Sequence, residues 1–124
     1  MNPKQFLIIG GTVLVLVGIL GFIGIIGPTA NNSIFGSYWW FYNAENWAHL
    51  VLGAVGIIAA FIFGVMWRKY LVVTLGVVGV LVGLYSLGGT KFLGANLENP
   101  ADTLLHLVVG GWALWASMKP EKMM

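Results

Sequence analysis

Four stretches of the chain are apolar over lengths that an ordinary soluble helix does not need: about Phe6 to Ile26, Asn46 to Trp67, Tyr70 to Leu87 and Ala101 to Met118. Each meets the roughly 17–25 residues that a helix takes to cross a hydrocarbon core of about 30 Å. Helices rather than strands follow, because backbone groups inside a bilayer must be satisfied within the segment unless a barrel closes. Gly27-Pro28 predicts the end of the first span, since proline lacks the N–H that would continue it. Arg68 and Lys69 mark the predicted link between the second and third. The loop from Thr29 to Ala44 carries no charge and is dense in aromatics, with Tyr38, Trp39, Trp40, Phe41 and Tyr42 in succession. Such a cluster suits the interfacial belt, where amphipathic rings sit at headgroup depth.

Composition sharpens this into a class. Of 124 residues, 59% are hydrophobic and 8% charged, whereas soluble domains average about 45–50% apolar and about 25% charged. Ten charged side chains cannot clothe so small a soluble protein. With no cysteine, thiol catalysis, thiolate metal sites and disulfide frameworks are excluded. The net charge of +2 does not point to nucleic acid, because the six basic residues are scattered rather than clustered. They sort by side instead. Lys4, Arg68, Lys69, Lys119 and Lys122 fall at one end of the predicted spans and Lys91 alone at the other, which places both termini in the cytoplasm. Glu45, Glu98 and Asp102 then lie at the outer end. The first apolar run is longer than the roughly 7–15 residues of a signal-peptide core, so it reads as a retained span.

The chain also repeats itself. Gly11-Thr-Val-Leu-Val-Leu-Val-Gly18 matches Gly76-Val-Val-Gly-Val-Leu-Val-Gly83 at six of eight positions. Glu45-Asn-Trp-Ala-His49-Leu-Val-Leu-Gly53 matches Asp102-Thr-Leu-Leu-His106-Leu-Val-Val-Gly110, both reading acid-x-x-x-His-Leu-Val-x-Gly. The second match carries more weight, because it duplicates the two histidines and two of four acids at one spacing. Duplicated two-span hairpins share one orientation and are related by an axis near the membrane normal. The expected fold is therefore an all-α membrane protein: four transmembrane helices in a 2+2 internal-repeat bundle. It forms a single domain over residues 1–124, with repeat 1 about 1–68 and repeat 2 about 69–124. Glycines such as Gly18, Gly21, Gly24 and Gly27 in span one, and Gly76, Gly79 and Gly83 in span three, would let backbones approach closely. Which spans touch is left open by the sequence.

The segments Asn43 to Gly53 and Asn99 to Gly110 together resemble a family of small four-span prokaryotic membrane proteins classed as a domain of unknown function. That family carries an Asn/Asp-then-His-Leu-x-x-Gly motif near each even-numbered span, and the resemblance covers nearly the whole chain. It implies the cytoplasmic membrane of a prokaryote and supplies no activity.

Glu45 and His49, four residues apart, share one helix face, and Asp102 with His106 repeats the arrangement. If spans two and four adjoin, the four groups converge just inside the outer leaflet. Glu45, His49, Asp102 and His106 then form a candidate transition-metal set, and His49 with His106 a candidate pair of axial ligands for haem or chlorophyll. The alternative is structural. Asn99 as N-cap, Pro100 at the first helical position and Asp102 in the first turn read as a helix start, and Asn43 with Glu45 as another. Each histidine would then give an N–H to its own helix's carboxylate or to a loop carbonyl, clamping the outer loops. Both readings stand at this point. No catalytic or nucleotide-binding fingerprint is present, and no span centre carries a charge. The expectation is a non-enzymatic structural or accessory subunit that meets the lipid bilayer and packs with itself or other membrane proteins. The first alternative is a metal- or tetrapyrrole-binding protein, and the second is a lipid or small-molecule site at the outer aromatic loop.

Overall fold

Asn2 and Gln5 open the first helix reciprocally. The Asn2 Oδ1 accepts the Gln5 N–H at 2.9 Å, the Gln5 Oε1 accepts the Asn2 N–H at 3.0 Å, and Pro3 fills the first helical position. In the computed structural model, described for residues 1–89, 91–92, 95–98 and 100–121, the chain is all-helical apart from one tiny ladder. The helices are α1 (Pro3–Phe22), α2 (Asn43–Ile62), α3 (Val65–Tyr85) and α4 (Ala101–Ser117). β1 (Lys91–Phe92) pairs antiparallel with β2 (Ala95–Asn96) in the connection from α3 to α4. Helices α1, α2 and α3 are long and apolar enough to cross a membrane. At 17 residues α4 is the shortest, about 26 Å at 1.5 Å per residue.

Helix boundaries differ from the sequence expectation in two places. α1 stops at Phe22 rather than at Gly27-Pro28, and the N–H groups of Ile25 and Ile26 turn back to the Leu20 carbonyl. Gly24, at φ +88°, supplies the left-handed turn that ends it, so Gly24 and Gly27 belong to the loop and not to a packing stripe. The break between α2 and α3 falls at Phe63-Gly64, both extended. Arg68 and Lys69 therefore lie in the first turns of α3 instead of in a linker. Asn99, expected as the cap of the last helix, lies outside the described residues, as does Lys122. Pro100 is the N-cap and Ala101 the first helical residue of α4.

The helices pair as two hairpins, α1 with α2 and α3 with α4. Glycine makes both seams. A methyl group added at Gly11 would lie 2.8 Å from the Gly53 carbonyl oxygen and 2.8 Å from the Ile57 side chain. At Gly76 it would lie 3.0 Å from the Gly110 carbonyl oxygen and 2.8 Å from the Leu114 side chain. Likewise Gly53 abuts the Val15 N–H and Gly110 the Val80 N–H, while Gly18 meets Leu50 and Gly83 meets Leu107. Without a hydrophobic effect between lipid-immersed helices, such backbone contact supplies the dispersion that holds them. Thr12 and Thr74 sit quietly in apolar surroundings because each hydroxyl donates to the carbonyl four residues back, at 2.7 and 2.9 Å.

The hairpins meet each other at their ends. Where α1 and α3 begin and α2 and α4 finish, Phe6, Leu7, Ala59, Ala60, Val72, Ala113 and Ala116 form a buried cluster drawn from all four helices. Phe6 stacks edge-on against Trp112 at 4.7 Å. The Glu121 carboxylate accepts from the Arg68 guanidinium and, at 3.1 Å, from the Lys4 backbone N–H. Arg68 also donates to the Phe63 carbonyl at the end of α2. Residues 4 and 121 thus share one end of the bundle, and the loop from Ile23 to Tyr42 and the connection after Tyr85 share the other. Around the sides, Val13, Leu16, Ile19, Val55, Ile58, Val78, Leu81, Leu104 and Val108 are all exposed.

Candidate functional site

Two acids organise the end opposite the chain termini. Glu45, only 5% exposed, stands in the first turn of α2, and Asp102, 1% exposed, stands in the first turn of α4. Both occupy the position where the helix dipole favours a negative charge. Their hydrogen bonds follow one scheme. The Glu45 Oε1 accepts the Tyr42 N–H of its own hairpin at 3.2 Å and the Asn96 N–H of the other hairpin at 2.6 Å. Asp102 accepts the Glu98 N–H of its own hairpin at 2.7 Å through Oδ2, and the Trp39 indole N–H of the other hairpin at 3.0 Å through Oδ1. Each acid therefore caps its own helix and reaches across to hold the partner hairpin's loop. A buried carboxylate is tolerated when N–H donors surround it, since charge-assisted bonds recover part of the lost hydration.

The loops that receive these bonds are themselves tied. Asn96 donates through its side chain to the Glu98 carboxylate at 2.9 Å and to the Trp40 carbonyl at 3.3 Å. In the first loop, the Phe41 N–H bonds the Ile26 carbonyl at 2.8 Å, and the Ser33 hydroxyl bonds the Trp39 carbonyl at 2.6 Å. Trp39 lies between Phe35 and Phe41, at 5.3 and 5.2 Å between ring centres. The aromatic run is thus divided. Phe41 is buried and Trp39 reaches inward to Asp102, while Tyr38 stays open to the surroundings. Below, the Ser86 and Thr103 hydroxyls are hydrogen-bonded to each other at 2.5 Å, joining the end of α3 to the start of α4.

The histidines sit one turn deeper than the acids and are less alike. The His106 Nδ1 lies 2.7 Å from the Asp102 backbone carbonyl, so its expected partner, a carboxylate or a loop carbonyl, is replaced by its own helix's backbone. The His49 Nδ1 is buried without a protein partner, and its ring stands edge-on to Phe41 at 5.2 Å. Among the described residues no three His, Asp or Glu side chains converge so as to hold a metal ion. Asn46, fully buried beside Glu45, fills the space that a side chain at Gly21 would take. Its Oδ1 lacks a conventional donor and rests against the Gly21 backbone, a weak C–H···O contact.

Sequence reasoning identified the two acids but not their cross-partners. Trp39, expected at the membrane interface with its aromatic neighbours, instead turns its indole N–H to the buried Asp102 carboxylate, a natural acceptor for it. Asn96 and Glu98 meet the two acids through their backbone N–H groups, which carry no sequence signal. Comparisons with protein-family models, curated proteins and solved structures find no match.

Proposed function

We propose that this chain is a four-span membrane protein of two duplicated hairpins, with both termini cytoplasmic, that serves as a structural or accessory subunit without catalysis of its own. The observation that carries the proposal is the reciprocal clamp. Both buried acids in the polar cluster are engaged in bonding loop and capping N–H groups, which suits holding a scaffold closed. Three further observations support the architecture. Three helices are long and apolar enough to cross, and the Lys4-to-Glu121 bond brings residues 4 and 121 to one end of the bundle, which supports an even number of crossings with α4 as the fourth. Equivalent residues of the two hairpins make equivalent seam contacts, as duplication would leave them. Basic residues gather at the end that holds the termini, the cytoplasmic signature. The proposed likeness to the four-span prokaryotic family rests on the paired acid-x-x-x-His-Leu-Val-x-Gly motifs. Purification in a mild detergent tests the subunit role: oligomer or copurifying membrane chains are expected, and a lone monomer counts against it.

One observation favours a second reading, in which His49 and His106 bind a metal or a tetrapyrrole: the buried Nδ1 of His49 has no protein partner. Absorbance spectra and elemental analysis of the purified protein decide it, and a colourless, metal-free preparation removes it.

A further inference from the structure

We propose that the end of the bundle carrying both chain ends docks on anionic phospholipid headgroups. The inference rests on the membrane reading above and adds a ligand class to it. Among the described residues this end holds Lys4, Arg68, Lys69 and Lys119 against one acid, Glu121, an excess of three positive charges. Glu121 is engaged by Arg68 and by the Lys4 backbone, so among the described residues its ion pair is with Arg68 and not with a lysine ammonium group. The opposite end carries Glu45, Glu98 and Asp102 against one base, Lys91, so acids outnumber bases there and the bundle is charge-polarised along its axis.

The lysines come from different elements, and two of them lie over aromatic rings. The Lys4 Nζ lies 5.5 Å from the centre of the Phe61 ring, across the α1–α2 seam. The Lys119 Nζ lies 5.1 Å from the centre of the Trp115 ring, just past the end of α4. Lys69 is exposed on α3, between Trp67 and Tyr70, whose exposed rings stand edge-on at 6.1 Å. A ring face fixes an ammonium group without neutralising it, which leaves its charge for an incoming phosphate. Aromatic rings beside ammonium groups are the pairing that suits the interfacial layer of a leaflet. The exposed apolar helix sides that continue directly from this rim make a lipid, rather than a nucleic acid or a soluble anion, the occupant that fits.

The full chain reconstituted in nanodiscs of mixed zwitterionic phosphatidylcholine and anionic phosphatidylglycerol gives the test, with retained lipids counted after extraction into mild detergent. Phosphatidylglycerol should be enriched over its bulk fraction, by up to about fivefold for each lysine engaged. The combined Lys4→Gln, Lys69→Gln and Lys119→Gln variant should return to the bulk ratio while unfolding at the wild-type temperature in pure phosphatidylcholine discs. Wild-type retention at the bulk ratio, or enrichment that survives in the variant, overturns the proposal. So does equal stabilisation by inorganic phosphate in detergent, which would assign the rim to a soluble anion. Should the variant fail to fold, the wild type at about 1 M salt, where charges are screened within about 3 Å, decides: persistent enrichment overturns the proposal and its loss supports it. Failure of the wild type to enter discs at all overturns the membrane reading as well, whereas entry without lipid preference overturns only this inference.

Discussion

Asp102 engages both of its oxygens, one for each hairpin, and so has no substitute at its position. Replacing it with alanine orphans the Glu98 N–H and the Trp39 indole N–H together. Asp102→Ala should cost about 1–3 kcal/mol, the usual penalty for unmade buried bonds, read as a lower unfolding temperature in detergent. Glu45 differs in detail, because both of its donors meet Oε1. A glutamine keeps that oxygen as an acceptor. Glu45→Gln should therefore be milder than Glu45→Ala in the same measurement, and equal losses would mean that the charge rather than the acceptor matters.

At the scale of the helices, adjacent glycines in α4 face opposite ways. Gly110 lies against α3, where an added methyl group would come within 2.7 Å of the Val80 N and 2.9 Å of the Gly76 carbonyl oxygen. Gly111 has nothing within 4 Å of that position. Gly110→Ala forces two backbones apart and should destabilise by about 1–3 kcal/mol, the range for overpacked sites. Gly111→Ala should be neutral or stabilising, by up to about 1 kcal/mol, because alanine is favoured over glycine in a helix interior where nothing crowds it. Thermal unfolding of the two variants side by side checks the hairpin seam, and similar behaviour would contradict it. Gly53→Ala is the corresponding substitution in α2, facing the Gly11 carbonyl oxygen at 2.6 Å.

For the whole molecule, the bond network at Glu121 holds α1, the start of α3 and the segment after α4 together. The Arg68 guanidinium holds the Glu121 carboxyl below the usual glutamate range, and the Lys4 N–H adds to this. A carboxyl whose folded value is depressed stabilises the fold above its unfolded value, near about 4.3. That contribution is lost as the pH falls through the lowered folded value. Stability should therefore decline on acidification below about pH 4.3, with a smaller decline in Glu121→Gln, measured by thermal unfolding across pH. The same network predicts that reporters fused to the two ends lie on one side of the membrane. Reporters on opposite sides would leave the chain with an odd number of crossings and remove α4 as a span.

Apolar run length, the distribution of ten charged residues and the doubled motif were enough to read helices, three of the span candidates and the two acids at one end. These are local properties: hydropathy acts over one turn after another, and a first-turn carboxylate serves its own helix. The helix ends were less legible, because Gly24 and Phe63-Gly64 break the chain through backbone dihedrals that apolar residues on either side disguise. The partners were not legible at all. Whether Glu45 and Asp102 are two separate caps or one device depends on where Asn96 and Trp39 arrive. Those arrivals follow from how two hairpins, seamed by glycine contacts such as Gly11 with Gly53 and Gly76 with Gly110, lean on each other at their ends. Sequence determines which groups need a partner; only the tertiary structure, by bringing residues far apart in the chain to within hydrogen-bond length, decides which partner each one finds.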